Sequence, residues 1–419
     1  MKRTTHLELW KKGNYMKITI VGCGGSGSAI AYLAIKLKNI TQICIADSKE
    51  SRVNKLRLAL RKVNKKILIT STVIDATNKQ FVEEITRGSK VVINSASPIC
   101  NIPIMKACIS NKSNYIDLAS DPFEYPGIDK RTTFSEQLTL HDAFKKNNLV
   151  AIPNCGFSPG TTDIIVKNFI EETHVTKINA IIVHFGEKII ADKLIFSWSP
   201  YTVLLETLFP PTIYKNKSVS ELPNVEGWKE IDFKEDVGKI NLRIFSGHPE
   251  LKTIPNYIAL PINYIEIGGG MKLNNLQLPE IILDALSKRI SKTTHIEGDL
   301  LNELSKEFDS PDNFVENHLA GHIENEYFCG VIHLTGELNN KTITYTYTIR
   351  EDLKKTLKSF PVSSVGNLVV AFMPVAVIDL ILTNKVELTG VITPINLKHP
   401  SKILNKIRSF GLNIKVQKG

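Results

Sequence analysis

The sequence predicts an α/β fold, with a doubly wound, mostly parallel sheet first and a second α+β domain after it, and three observations predict this. Residues 18 to 47 run in the order apolar segment, glycine turn, apolar helix, second apolar segment, acid. Strand-like and helix-like patterns then keep alternating as far as Ile152. After Gly160 the pattern changes to short runs rich in β-branched and aromatic residues. Strands alternating with helices specify a parallel sheet with helices on both faces, whereas clustered short strands specify a mixed or antiparallel one.

The opening unit gives each residue a task. Ile18-Thr19-Ile20-Val21 leads into Gly22-Cys23-Gly24-Gly25-Ser26-Gly27, an Ala/Ile/Leu-rich segment follows, and Ile43-Cys44-Ile45-Ala46 ends in Asp47. This is the order of a dinucleotide-binding βαβ unit, the Rossmann arrangement. Gly22 permits the tight turn, Gly24 the approach of a pyrophosphate, and Gly27 the close packing of helix on strand. The helix N-terminus presents free N–H groups and a positive dipole end to phosphate. An acid at the end of the second strand bonds the ribose hydroxyls of NAD, with Ser48 beside it; Lys49 and Arg52 nearby leave NADP as the alternative.

Further elements follow in order: a helix from Arg52 to Asn64, a strand from Ile67 to Ile74 ending at Asp75-Ala76, and a helix around Val82 to Ile85. Strand Val91-Val92-Ile93 ends in Asn94-Ser95-Ala96, and a helix from Ile102 to Ser110 precedes strand Tyr115-Ile116-Asp117-Leu118. A helix from Thr133 to Lys146 leads to strand Leu149–Ile152. Ligands of such sheets sit beyond the carboxyl ends of the strands, which makes Asp75, Ala76, Asn94, Ser95 and Ala96 further cofactor contacts. In the second domain, strands are expected at Ile178–Phe185, Leu194–Trp198, Ile240–Phe245, Ile258–Ile267, Tyr327–Leu334 and Thr342–Ile349, with helix through 275–325. The expected organisation is a tail at 1–15, a dinucleotide-binding domain at 16–155, a substrate and dimerisation domain at 156–358, and a segment 359–419 that packs back on the first domain. Met16 stands as an alternative start.

Composition narrows the function classes. The chain has 419 residues, 42% hydrophobic and 22% charged, with a formal charge of +10 carried by dispersed lysines. Dispersed charge without interleaved aromatics is a solvated surface, so no nucleic-acid partner is expected. The six cysteines form no CxxC pair, which fits reduced thiols and a cytoplasmic location. The basic first fifteen residues lack the apolar core of a secretory signal. Residues 362 to 382 are apolar but carry Ser363, Ser364, Asn367, Pro374 and Asp379, which predicts a buried helix and no membrane partner. His318 and His322 stand four apart, but Gly321 weakens the helix and no third ligand is implied, so no metal is expected.

Beyond the glycine fingerprint, three elements carry a resemblance: Tyr115-Ile116-Asp117-Leu118-Ala119, Asn154-Cys155-Gly156-Phe157-Ser158-Pro159-Gly160 and Phe196-Ser197-Trp198-Ser199-Pro200. With them the chain resembles the saccharopine dehydrogenase-like oxidoreductases, and within these the lysine 6-dehydrogenase type. Gly156 to Gly160 match the family's G-x-x-P-G turn. Weaker similarity runs through Phe245-Ser246-Gly247 to the C-terminal helix. The resemblance implies a homodimer and NAD(P)-linked chemistry at a carbon–nitrogen bond of a small amino-acid substrate. It also carries departures: Ser158 stands where saccharopine reductases have an acid, Phe185 where they have a cysteine, and Glu266 where an arginine is usual. A smaller or more cationic amine than saccharopine is therefore expected.

Such chemistry needs a group to move the amine proton and charges to hold the substrate. Asp117 ends a strand at the ligand edge, or else caps the following loop. Asp163 follows Gly160 and either faces the cleft or stabilises a first helical turn. His184 in an apolar strand is a proton shuttle or a structural hydrogen-bonder. Asp117, Asp163 and His184 are the expected catalytic groups, with Glu266 adding negative charge. Three functions fit: a lysine 6-dehydrogenase-like or saccharopine dehydrogenase-like enzyme, a carboxynorspermidine-type reductase that joins an amine to an aldehyde, and an inactive NAD-binding regulatory protein.

Overall fold

The computed structural model describes residues 16–120, 133–292 and 300–419, and the tail expected at 1–15 lies outside them. The chain forms two compact units, and the switch from the first to the second falls after Gly160.

The first unit is built on a seven-stranded sheet. Its strands are β1 (Lys17–Val21), β2 (Gln42–Asp47), β3 (Leu68–Val73), β4 (Ser89–Asn94), β5 (Asn114–Asp117), β6 (Val150–Ile152) and the short strand Gly390–Val391. Their order is 390–391, β6, β5, β4, β1, β2, β3, and every pairing is parallel. Strand order reverses at β1, and there the crevice for a dinucleotide opens between the ends of β1 and β4. β1, β2 and β4 are almost wholly buried, because helices cover both faces of a parallel sheet. Ile104, Met105 and Cys108 of helix Asn101–Asn111 pack with Val92, Tyr115 and Phe144 in this core.

The second unit has a mixed ten-stranded sheet. Its strands are β7 (Lys177–Ala191), β8 (Thr212–Lys215), β9 (Ser218–Glu221), β10 (Trp228–Asp232), β11 (Lys239–Ile244), β12 (Tyr264–Leu273), β13 (Leu276–Gln277), β14 (Ile323–Leu338), β15 (Lys341–Asp352) and the terminal strand Ile414–Lys418. The main order is β10, β11, β12, β7, β14, β15, 414–418, with β7 and β12 parallel and the other neighbours antiparallel. Two expected strands differ. Leu194–Trp198 is not a strand, since only Ile195 bridges to Asp309. Of Ile258–Ile267 the continuous strand begins only at Tyr264, and before it a single bridge joins Ile262 to Ile178. In the expected helical stretch, helices Leu278–Lys292, Leu300–Ser305 and Phe314–Leu319 are found.

The segment expected to return whole to the first domain is divided. Residues 370–398 group with the first unit, and 359–369 and 399–419 with the second. Edge strands explain the division, because unpaired N–H and C=O groups seek a partner. Gly390–Val391 pairs with β6, and Ile414–Lys418 pairs with β15. Helix Val365–Leu382 is the one described helix long and apolar enough to cross a membrane, and it is mostly buried inside the protein.

Candidate functional site

The glycine turn is locked by contacts that leave no room for side chains. Gly22 adopts a left-handed backbone (φ 96°), and a Cβ there would lie 2.7 Å from the backbone of Ser95 and Ala96. A Cβ on Gly27 would lie 1.9 Å from the Gly22 carbonyl oxygen. The Ser95 hydroxyl reaches the carbonyls of Val21 and Gly22 at 2.9 and 2.8 Å, which pins β4's end to the turn. Helix Gly25–Ala34 starts at Gly24, where no side chain caps the first-turn amides. Those amides and the positive dipole end are the phosphate-binding feature of such turns.

Asp47 is buried at the end of β2, and its oxygens accept from the Cys23 amide (2.7 Å) and the Lys49 amide (2.8 Å). Arg52 stands 3.7 Å from the same carboxylate. Asp47 therefore shapes the turn as well as marking the ribose end, and a guanidinium lies beside it. Asn94 is buried, donates to Asn101 Oδ1 (2.6 Å) and accepts from the Ala96 amide (3.0 Å). Asp75 is exposed at the end of β3, where it accepts from the amide and hydroxyl of Thr77, with Ala76 beside it. The structure thus gathers Gly22, Gly24, Gly25, Ser26, Gly27, Asp47, Ser48, Asn94, Ser95 and Ala96 at the carboxyl ends of β1, β2 and β4, and puts Asp75 and Ala76 on the neighbouring strand end. This cradle fits NAD(P): the absence of a Cβ at Gly22 and Gly27 lets the turn close against β4 and the helix start, and Asn154, at the end of β6, holds its buried Nδ2 without a partner among the described residues.

The expected catalytic groups fall in different places. Asp117 belongs to the first unit and is buried, and its oxygens accept from the Asn154 amide (2.8 Å) and from Gln137 Nε2 (2.6 Å). Burial lifts its carboxyl to about 7 against the pull of those donors. With both oxygens occupied it holds the 153–156 turn in place. Asn154 in turn accepts from the amide and hydroxyl of Ser120, both at 2.8 Å.

Asp163 and His184 belong to the second unit. His184 Nε2 donates to Glu266 Oε1 (2.8 Å), and Glu266 also accepts from Lys229 Nζ and the Tyr264 hydroxyl, both at 2.5 Å. Burial opposes the Glu266 charge, yet His184, Lys229 and Tyr264 outweigh it and hold the carboxyl near 2. Glu266 is therefore an anion answered by three donors, and it does not add free negative charge. His318 Nδ1 lies 2.8 Å from the Ile323 carbonyl and His322 Nδ1 3.0 Å from Asp192, so the two histidines serve local contacts.

Asp163 lies in the first turn of helix Thr161–Thr173, buried, and it contributes to a cluster that the sequence reading missed. His248 follows Gly247, whose left-handed turn (φ 63°) donates its amide to Thr212 Oγ1 (2.8 Å). His248 Nδ1 makes a very short hydrogen bond with Glu250, and the other oxygen of Glu250 accepts from Thr162 Oγ1 (3.0 Å). The His248 ring stacks on Phe245, 5.9 Å between centroids. Burial disfavours the imidazolium, but Glu250 overcomes this, with Glu206 and Asp163 adding, so the imidazole pKa is raised. The signal was local: an acid two residues after a histidine, directly following Phe245-Ser246-Gly247.

Comparison with known proteins gives concordant findings. Residues 18–152 match the saccharopine dehydrogenase NADP binding domain, and residues 156–412 match the saccharopine dehydrogenase C-terminal domain. A carboxyaminopropylagmatine dehydrogenase from Synechocystis is 29% identical over 38% of this chain and 39% of its own length. A carboxynorspermidine synthase from Vibrio cholerae is 25% identical over 61% of this chain and 63% of its own. The chain therefore matches these relatives over less than two thirds of their length. In fold, a saccharopine dehydrogenase (L-Glu forming) from Saccharomyces cerevisiae superposes with a TM-score of 0.66 at 13% identity, over 96% of this chain and 100% of that one. A homospermidine synthase from Legionella pneumophila, solved with NAD, gives 0.66 at 14% identity over 96% and 91%.

Proposed function

The chain belongs to the saccharopine dehydrogenase family of NAD(P)-linked oxidoreductases, and from that premise we propose that it joins a primary amine to an aldehyde and reduces the resulting imine, in the manner of the carboxylated-polyamine enzymes. The observation that carries this reading is the anionic field around the buried His248 of the second unit, which is hydrogen-bonded to Glu250 and on which Glu206 and Asp163 also act. Such a field favours a cationic amine and disfavours a tricarboxylate such as saccharopine. The relatives' names support it. A carboxyaminopropyl group on agmatine disconnects at its C–N bond into agmatine and an amino-acid aldehyde, aspartate semialdehyde. A diamine in place of agmatine gives a carboxynorspermidine-type product.

The chain's residues divide the work. Gly22 to Gly27 and the first-turn amides of helix Gly25–Ala34 would hold the pyrophosphate, while Asp47 and Arg52 would meet the adenosine ribose. NAD(P)H, when bound, supplies a hydride to the imine carbon. Asp117 and Asn154 keep the 153–156 turn rigid at the sheet's carboxyl edge. Asp163 and Glu206 would attract the amine, and the buried imidazole of His248 would exchange protons with it.

The test is a panel read by NAD(P)H absorbance. Aspartate semialdehyde with 1,3-diaminopropane or agmatine should oxidise NAD(P)H, and lysine with NAD should turn over far more slowly. Lysine-dependent NADH formation with no amine-plus-aldehyde activity would instead select the lysine 6-dehydrogenase reading. Silence throughout, with the dinucleotide bound, would select the regulatory one.

A further inference from the structure

We propose, resting on that functional reading, that His248 is the proton-transfer group of the condensation half-reaction and that Glu250 positions it. Three features lead there. The imidazole is buried and fixed: Glu250 holds Nδ1, Thr162 holds Glu250, and Phe245 lies against the ring. With Nδ1 taken, Nε2 is the ring nitrogen left to meet a substrate. A base oriented by a carboxylate that is itself oriented by a hydroxyl is the arrangement proton-transfer sites use. The two residues before it are anchored, by the Gly247 amide on Thr212 and by the Ser246 amide on the Glu206 carbonyl (2.9 Å).

The step balances with one proton. Neutral His248 takes a proton from the entering alkylammonium through Nε2 and frees the amine lone pair, and Glu250 stabilises the imidazolium. The amine nitrogen bonds to the aldehyde carbon while the C=O π pair moves to oxygen, and a proton passes from nitrogen to that oxygen to give the carbinolamine. Imidazolium Nε2–H then protonates the carbinolamine hydroxyl. The nitrogen lone pair forms C=N, the C–O bond breaks, and water leaves. The products are iminium, water and neutral His248, ready for the next ammonium. Asp163 and Glu206, the other acids acting on the ring, favour both the cationic amine and the iminium.

This half-reaction needs no dinucleotide, so it is read on the full chain without one. NMR exchange spectroscopy between the aldehyde and imine signals of aspartate semialdehyde and 1,3-diaminopropane measures the condensation rate. Wild type is expected to accelerate exchange over buffer, and His248→Asn to lower the protein-catalysed rate by roughly a hundredfold or more. Glu250→Gln, which keeps a hydrogen-bonding group but removes the charge, is expected to move the pH dependence of exchange to lower pH. Unchanged NADP binding in both variants shows that the fold is intact. Exchange no faster than buffer in wild type, or undiminished in His248→Asn, overturns the proposal. So does a pH profile that Glu250→Gln leaves in place. Accelerated exchange without NAD(P)H oxidation would leave the proton-transfer role standing and sink the reductive reading. NAD(P)H oxidation that is indifferent to His248 would do the reverse.

Discussion

Glu187 and Glu326 sit diagonally across β7 and β14, both wholly enclosed, and the charge of Glu326 bears directly on the Glu187 carboxyl. Glu187 pairs opposite Phe328, and Glu326 opposite Ile189, so the two acids face the same side of the sheet. The oxygens of Glu326 accept from the amides of Val365 and Gly366, both at 2.8 Å, at the start of helix Val365–Leu382. Two backbone donors and a helix N-terminus favour the ionised form there. Burial, and then the Glu326 charge, drive the Glu187 carboxyl well above the usual carboxylate range.

This pair makes stability fall as pH rises. Burial lifts Glu326 to about 7, and it pushes Glu187 well above its ordinary value too. A carboxyl whose folded pKa exceeds its unfolded one stabilises fully below the ordinary value and loses that contribution as pH climbs through the folded one. Between about pH 4.5 and the titration of Glu187, each retained proton costs up to about 1.4 kcal/mol per pH unit. Glu187→Gln keeps a donor beside Glu326 but needs no proton. Its thermal midpoint should exceed the wild-type value at pH 8.5 and approach it at pH 5. A wild-type advantage that persists at pH 8.5 would contradict the raised Glu187 carboxyl.

The His184–Glu266 network predicts the opposite slope. Glu266 is held near 2, below its ordinary value, so its contribution is present above about pH 4.5 and is lost as pH falls towards 2. Glu266→Gln leaves His184 and Lys229 without their counter-ion and should cost about 1–3 kcal/mol near neutral pH. That variant should keep its dinucleotide affinity, and His184→Asn should keep the wild-type pH–rate profile. A profile that loses a limb in His184→Asn would return His184 to catalysis.

The sequence made the first unit readable because its determinants are local. The glycine turn, Asp47 and the strand-end small residues all lie within one βαβ repeat or at its next strand end, and each need can be stated from one neighbouring strand. What Asp117 does was not readable, since its partner Asn154 lies 37 residues away and only folding brings the amide to the carboxylate. Thr162 and Glu250 are 88 residues apart, so the support behind His248 was equally hidden. Leu194–Trp198 reads as a strand by residue type, yet the Ser197 carbonyl accepts from Ser364 Oγ (2.9 Å) and Asn367 Nδ2 (2.5 Å) and not from a ladder. Side-chain partners drawn from distant sequence overrode local propensity there.

The glycine turn predicts a loss of dinucleotide binding from a single methyl. Gly27→Ala would place a carbon 1.9 Å from the Gly22 carbonyl oxygen, so the helix must shift away from β1 and the phosphate-facing amides shift with it. Calorimetry should show NAD and NADP affinity reduced by about a hundredfold or more, equivalent to about 2.7 kcal/mol. Far-ultraviolet circular dichroism at low temperature should change little, because only one of the many sheet-covering helices moves. Binding that survives the methyl would place the dinucleotide elsewhere.

Cofactor choice rests on Asp47 and Arg52. Asp47 directs both oxygens to backbone amides, Cys23 and Lys49, and Arg52 lies 3.7 Å away. A free carboxylate at this strand end would repel a 2′-phosphate. A carboxylate already answered by two amides repels it less, and a guanidinium offers planar, paired donors for phosphate. Wild type should therefore bind both dinucleotides. Arg52→Ala should weaken NADP about tenfold, or about 1.4 kcal/mol, while changing NAD by no more than about a factor of two. Asp47→Asn should act the other way, weakening NAD and narrowing any gap to NADP, because it removes the ribose acceptor and the charge together. Equal loss of NAD and NADP in Arg52→Ala would mean that the guanidinium only steadies Asp47 and that the 2′-phosphate is met by another residue.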